Sequence, residues 1–523
     1  MKKTLTSYAV YFSVCFFILL FLSTLNWYKY NFDIDGTAYI TIARHIAKGE
    51  WIKSFNGLWS PLNCWLAAPF MRFNEHDAIV FKMINAIACC GIIFQTYWLA
   101  KKFLTNNLLM HGILIILPVI LLSYTHIQLA GDLLQLFFLL IYINLVVKKD
   151  FFQRPFLNIV CAVVMGLAYL AKSYSLPFFI VFHASVYLID YWKNKPQQTI
   201  AASIKSLLTA YLVFFLFIAP WVYCLCIKYH YFTFSTAGAL NYNWYLGNSS
   251  STIIDTGLLI PPPYPDSFNY WEDPALYYHH LYGPLSSVTN FLNAIKLFLH
   301  NLKLTPTLFL EMSFCLLAIF VYWIIRYVKS AVKCKYHNHL VVMTASLILV
   351  FGYLFIHIET RYIWFTGIAG LLLGAALLEE KVLPALKKKW FSLTVVIIFL
   401  GTFIISPVDH LQDKRFADTE FPALKNFIAA QSIPGGFTCN LPQKTAWCTR
   451  LAFETNNAYY LLAKENYSSD ELIDAIKQQH LSFYLYFYQS PEEKENFYSG
   501  TVASAAKKII AIPGKNILFV SFQ

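Results

Sequence analysis

Charge is what this chain has least of. Asp, Glu, Lys and Arg make up 13 % of its 523 residues, about half of the roughly 25 % that soluble domains carry, and this excludes an ordinary water-soluble globular protein. Metal-site spacing is missing as well. No Cys-x-x-Cys pair or His/Cys cluster suggests zinc, and no internal repeat or low-complexity tract appears. Most of the 11 cysteines fall in apolar runs, where a thiol behaves as a small hydrophobe. Cys439 and Cys448 lie in the more polar final block, where the expected compartment permits a disulfide and leaves it open.

Hydrophobic residues fill the space that charge leaves, at 58 % of the chain with a mean hydropathy of +0.51. Apolar runs long enough to cross about 30 Å of hydrocarbon as helices lie near 8–27, 78–100, 107–125, 129–147, 156–171, 175–191, 203–227, 305–327, 339–357, 361–378 and 390–406. They predict an all-α polytopic membrane protein of about eleven spans. The first run is long and lacks a small-residue cleavage site after it, so it reads as a signal anchor rather than a removed signal peptide.

Basic residues outnumber acidic ones by 40 to 28. In a soluble protein such an excess points to nucleic acid, but here it alternates from turn to turn. Lys2/Lys3, Lys101/Lys102, Lys148/Lys149/Arg154, Lys193/Lys195, Arg326/Lys329/Lys333/Lys335 and Lys381/Lys387/Lys388/Lys389 fall in one set of turns. The positive-inside rule places that set, and the amino terminus, in the cytoplasm and the carboxyl terminus outside. The short outer turns carry almost only Lys172 and Arg361.

The first outer loop, 28–77, holds Asp33 and Asp35 at the exit of the first span. Ionisable groups at a membrane boundary are functional candidates by default. Asp35 is the expected N-cap of a helix that Gly49 ends. Its apolar face is Ala38, Tyr39, Ile42, Ala43, Ile46 and Ala47, and Thr37, Thr41, Arg44, His45 and Lys48 lie opposite, a pattern expected to lie flat on the bilayer. Trp51, Phe55, Trp59 and Trp65 resemble interfacial anchors.

A second outer block, 228–304, is too aromatic for a disordered connector and reads as a partly ordered cover over an outward cavity, with Trp271 and Asp273 as candidates for acceptor contact. Residues 1–408 thus form the expected membrane module. Residues 409–523 form an expected small soluble α/β domain on the outer face: Ser468 and Glu471 make a capping box before a helix at 470–480, and 481–487 and 517–520 have strand character.

Several short motifs in the membrane part resemble those of the GT-C membrane glycosyltransferases, specifically the bacterial group related to protein O-mannosyltransferases and to the lipid A aminoarabinose transferase. Asp35-Gly36-Thr37-Ala38-Tyr39 followed by Ala43 and Lys48-Gly49 resembles that family's first-loop motif, and Ser60-Pro61-Leu62 its next landmark. Gly131-Asp132-Leu133-Leu134, Gly166-Leu167-Ala168-Tyr169-Leu170-Ala171-Lys172-Ser173, Ala219-Pro220-Trp221 and Glu359-Thr360-Arg361-Tyr362 follow in family order. Gly36 stands where relatives commonly have Glu, and Ser173 where Gly is usual.

The resemblance implies a transferase that uses a polyprenyl-phosphate sugar at the outer face of the bacterial inner membrane, with a glycan, lipid or protein acceptor and no nucleic acid. Transfer needs one carboxylate to take the acceptor's proton and fixed cations to meet the charge developing on the leaving phosphate. Asp35 and Asp132 are the expected catalytic acids; Lys172, Arg361 and Tyr362 the phosphate contacts; Asp33 and Arg44 their supports. Two acids alone are a thin metal signal, so no metal or cofactor is assigned. Capping for Asp35 and Asp132, and headgroup snorkelling for Lys172 and Arg361, are the plain alternatives. At the level of the whole protein the rivals are a lipid-linked sugar transporter and a non-catalytic envelope-assembly protein.

Overall fold

An apolar segment in hydrocarbon must satisfy each backbone N–H and C=O within itself, and the helix is the structure that does so. The computed structural model describes residues 2–73, 76–193, 199–245, 254, 256–278, 283–329, 337–464 and 466–522, and helix dominates. α1 (Lys2–Tyr28) leads through a short loop into α2 (Ile34–Ala47), the one-turn α3 (Trp51–Ser54) and α4 (Leu62–Ala67). Next come α5 (Asp77–Ala100), α6 (Asn107–Ile127), α7 (Asp132–Val146), α8 (Pro155–Ala171), α9 (Ser175–Lys193) and α10 (Ile200–Tyr229). The second outer block holds α11 (Ala237–Tyr245) and strand β1 (Leu259–Ile260). Then follow α12 (Val288–Met312), α13 (Leu316–Lys329), α14 (His337–Leu354), α15 (Trp364–Leu377), α16 (Lys389–Gly401) and α17 (Ile405–Lys414).

Among the described residues, six helices are long and apolar enough to cross a membrane, and eight if each of two bent pairs counts as one span. This is an integral membrane protein. Eleven full spans are not confirmed among the described residues: α7, α8 and the 175–191 stretch of α9 sit on expected runs but are shorter apolar helices of 10–17 residues. The expected span at 305–327 is also revised. α12 begins within the second outer block, and the chain turns by 113° between α12 and α13, where Ser313, in extended conformation, bonds Thr402 at 2.7 Å.

The carboxyl-terminal region folds as helices around a sheet. Strands β2 (Gly436–Cys439), β3 (Ala458–Tyr459), β5 (Phe483–Phe487), β6 (Lys508–Ala511) and β7 (Ile517–Ser521) take the order β3-β2-β5-β7-β6. β2 runs parallel to β3 and β5, whereas β7 is antiparallel to β5 and β6. Helices α18 (Phe421–Ala430), α19 (Thr445–Thr455) and α20 (Ser469–Gln478) flank it. The capping box at α20 has both of its hydrogen bonds, Glu471 N–H to Ser468 Oγ at 3.1 Å and Ser468 N–H to the Glu471 carboxylate at 2.9 Å. A last strand, β4 (Leu461–Leu462), pairs antiparallel with β1 and so fastens the second outer block to this sheet unit. Cys439 and Cys448 are free, buried thiols, and Cys439 Sγ donates to the Leu441 carbonyl at 3.3 Å.

The expectation that α2 lies flat on the bilayer is corrected. Ten of its 14 residues are buried, Thr37, Thr41 and His45 of the polar face among them, because that face packs under protein. Arg44 pairs with Asp77 at 2.8 Å and α19 lies against the helix. The expected anchors also divide: Trp51 and Trp65 are exposed, whereas Trp59 is buried and donates its indole N–H to the Trp271 carbonyl at 3.1 Å.

Candidate active site

The site begins with a helix start. Asp33, not Asp35, is the N-cap of α2, accepting the Gly36 N–H at 2.9 Å. That leaves the Asp35 carboxylate, in the first turn of α2, to face a cavity of about 450 Å³. Gly36 keeps the turn tight against its neighbours: a Cβ there would sit 3.0 Å from Leu129 and 3.1 Å from Phe32, so the volume that a Glu would need is taken by apolar side chains.

Asp132 opens α7 beneath Gly131, and the reason for that glycine is direct. A Cβ at 131 would overlap the Ala171 carbonyl oxygen, so only glycine lets the start of α7 meet the end of α8. The next residues, Asp132 and Lys172, form an ion pair. The Lys172 ammonium also lies 3.8 Å from the centre of the Tyr362 ring, a favourable cation–π placement. Burial pulls the Lys172 ammonium below the usual lysine range, with the Asp132 carboxylate opposing it.

Arg361 arrives from the turn before α15, held there by Tyr124 of α6, whose ring stacks on Trp364 at 3.8 Å. Its guanidinium reaches Asp35 Oδ2 at 3.0 Å, Glu359 Oε2 at 2.6 Å and Gln128 Oε1 at 3.1 Å, with Asp33 Oδ2 at 3.7 Å. Burial raises the Glu359 carboxyl, but the hydrogen bond with His357 and the Arg361 charge overcome it and hold the group down at about 2. Burial and the neighbouring Asp35 charge raise the Asp33 carboxyl to about 7, against the pull of Arg361.

Trp271 closes the cavity from above. Its indole N–H donates to Asp35 Oδ1 at 3.1 Å, and its ring stacks on Trp244 of α11 at 5.0 Å. Tyr39, Trp59, Trp244 and Trp271 form an aromatic wall, and Tyr169, Leu176, Pro177 and Ile356 an apolar flank.

Asp35, Asp132, Lys172, Arg361, Tyr362 and Trp271 therefore meet around one cavity, with Asp33 just behind Arg361. Arg44 and Asp273 are placed elsewhere. Arg44 is engaged by Asp77. Asp273, 1 % exposed, is bound by Lys228 at 2.5 Å and by the Tyr229 hydroxyl at 2.9 Å, a latch between the cover and α10.

Gln128, Trp244 and Tyr353 line or complete the site without having been singled out in the sequence, and Trp59, expected only as an interfacial anchor, lines it as well. Another missed residue is Lys82, fully buried, which donates to the carbonyls of Tyr28, Asn31 and His126 at 2.5, 2.7 and 2.9 Å. It ties the ends of α1 and α6 to the loop before Asp33, as a cation suits helix carboxyl ends. A lone lysine inside the run 78–100 was the available signal. Among the described residues, the group compact enough to hold a metal ion is His45, Glu50 and Asp266. Lys53 already bridges its two acids at 3.3 and 3.0 Å, with Lys48 at 3.3 Å from Asp266.

No protein-family model matches the sequence, and no curated protein does. Solved structures do match in fold. The archaeal oligosaccharyltransferase AglB from Archaeoglobus fulgidus, in complex with an inhibitory peptide and a dolichol-phosphate, superposes with a TM-score of 0.54 at 9 % identity, over 93 % of this chain and 70 % of that one. ArnT from Cupriavidus metallidurans, in the apo state, gives 0.52 at 12 % identity over 98 % of both chains. The same protein bound to undecaprenyl phosphate gives 0.51 at 11 % identity, again over 98 % of both. The chain has the fold of these proteins, the GT-C fold that its motifs resemble.

Proposed function

We propose that this protein is an inverting glycosyltransferase that moves a sugar from a polyprenyl-phosphate donor to a hydroxyl of a cell-envelope glycan, lipid or protein, at the outer face of a bacterial inner membrane. The observation that carries the reading is the pairing of Lys172 with Asp132 and of Arg361 with Asp35 around one cavity that has an apolar flank. Two cations suit a phosphate, an apolar flank suits a lipid, and an aromatic wall suits the face of a sugar.

The donor phosphate draws Arg361 and Lys172 from their carboxylates. The acceptor oxygen attacks the anomeric carbon from the side opposite the phosphate, the new C–O bond forms as the C–O bond to phosphate breaks, and the Asp35 carboxylate takes the acceptor proton. The lipid leaves as a monoester bearing more negative charge, which the two cations stabilise. Trp271 orients the Asp35 carboxylate, and Asp132 holds Lys172 in place until the donor binds. Residues 409–523 form a separate extracytoplasmic domain over the 1–408 membrane module in this reading.

Purified protein in lipid nanodiscs, supplied with radiolabelled polyprenyl-phosphate sugars and an envelope fraction, is expected to transfer label to an acceptor and release polyprenyl phosphate. Failure to transfer label together with failure to bind polyprenyl phosphate would overturn the reading.

A further inference from the structure

The loop that carries Asp33 and Asp35 and the cover that carries Trp271 are far apart in the chain, yet one helix of the carboxyl-terminal region braces both. Thr449 and Arg450 are consecutive in α19, and both are buried. The Asn269 amide donates to Thr449 Oγ1. Asn269 Oδ1 in turn accepts the Trp271 backbone N–H at 3.1 Å, and the Trp271 indole donates to Asp35. On the other side, the Arg450 guanidinium lies 3.3 Å from the centre of the Phe32 ring and its Nη1 donates to the Phe32 carbonyl at 3.3 Å, immediately before Asp33. Glu454 balances the charge at 2.6 and 2.9 Å.

A buried ion pair is a poor source of net stability, and neither Thr449 nor Arg450 lines the cavity. What these two residues supply is placement. We propose that α19 is the positioning element of the active site, with Thr449 and Arg450 setting the Trp271–Asp35 contact, so that the carboxyl-terminal region governs turnover rather than donor binding. The inference rests on the transferase reading above. Displacement of a reacting group by about 1 Å can cost on the order of a hundredfold in rate, and these contacts fix Asn269, two residues from Trp271, and Phe32, three residues from Asp35.

The test uses the full chain in nanodiscs, with kcat and KM for the polyprenyl-phosphate sugar and direct binding of polyprenyl phosphate. Thr449→Val keeps the side-chain shape and removes the hydroxyl. Its kcat is expected to fall about tenfold or more, with KM and polyprenyl-phosphate binding unchanged, and Thr449→Ser restores the parental kcat. Trp271→Phe combined with Thr449→Val is expected to lose no more than Trp271→Phe alone, since both break one chain of hydrogen bonds. The double change Arg450→Met/Glu454→Leu removes the ion pair without leaving a lone charge, and is expected to lower kcat in the same way. A parental kcat in Thr449→Val, fully additive losses with Trp271→Phe, or a loss of polyprenyl-phosphate binding equal to the loss of turnover would each overturn the inference. A parental protein that neither transfers nor binds polyprenyl phosphate overturns the transferase reading itself.

Discussion

Arg361 Nη2 lies 3.0 Å from Asp35 Oδ2, although 326 residues separate them. The guanidinium also holds Glu359 and Gln128, so one side chain joins the first outer loop, the end of α6 and the start of α15. In the proposed reaction a donor phosphate entering the cavity competes with Asp35 for that guanidinium, so that binding the donor and freeing the base would be one event.

Asp35→Asn is nearly isosteric and leaves Arg361 its contacts with Glu359 and Gln128. Folding and polyprenyl-phosphate binding are expected to persist while turnover falls by roughly a hundredfold or more, the usual effect of removing a general base. Single-turnover transfer with purified protein checks this. Transfer at the parental rate would make Asp132 the next candidate.

Lys172→Met and Arg361→Met each remove one of the two cations proposed to meet the leaving phosphate. A fixed donor of this kind contributes roughly 2 to 4 kcal/mol in the transition state, so kcat/KM is expected to fall by roughly 30- to 1,000-fold. Headgroup snorkelling alone would leave kcat/KM unchanged.

Gly131→Ala and Gly36→Ala are expected to differ. The first drives a methyl into the Ala171 carbonyl oxygen, which is backbone; the second meets the movable side chains of Leu129 and Phe32. Overpacking against backbone costs on the order of 1 to 3 kcal/mol, and it separates Asp132 from Lys172. Thermal melting is expected to show the larger loss for Gly131→Ala, and transfer assays to show loss of activity there. Equal melting temperatures would refute the close approach of α7 and α8.

Glu272 supplies a pH signature for the cover. Burial raises its carboxyl to about 8, against the Phe268 N–H, which donates to it at 2.6 Å and favours the ionised form. Between its ordinary value and about pH 8 the folded protein therefore holds a proton that the unfolded chain has lost, so stability falls as pH rises through that window. The melting temperature is expected to decline from pH 5 to pH 9, and less steeply in Glu272→Gln. Identical slopes would show that Glu272 does not carry the effect.

Orientation is checked by impermeant thiol labelling of single cysteines. A probe at Ser469 is expected to react from outside and one at Lys387 to be protected, as the basic turns require. The reverse pattern would turn the cavity toward the cytoplasm and remove every proposed role.

The one-dimensional signals that survived folding are those that depend on neighbours in the chain. Apolar runs became helices, the capping box at Ser468 closed, and Asp35, Asp132, Lys172 and Arg361 proved to be cavity residues, because hydrocarbon length, capping and the expense of desolvating charge act locally. Glu359 and His357 are hydrogen-bonded to each other at 2.9 Å beside Arg361; their importance depends on a partner that the local pattern does not name.

The sequence by itself determined a helical membrane protein with Asp35, Asp132, Lys172 and Arg361 kept where charge is otherwise absent. Only tertiary structure decided what those charges face. Asp33 took the cap because the helix starts two residues earlier than propensity suggests, and Arg44 was drawn to Asp77 rather than to the cavity. Asp273 was spent on a latch with Lys228, and α2 lost its polar face to packing under α19. Each outcome is a contact between segments distant in the chain, whose geometry is set by how helices pack and where glycine permits close approach, as at Gly131 against Ala171.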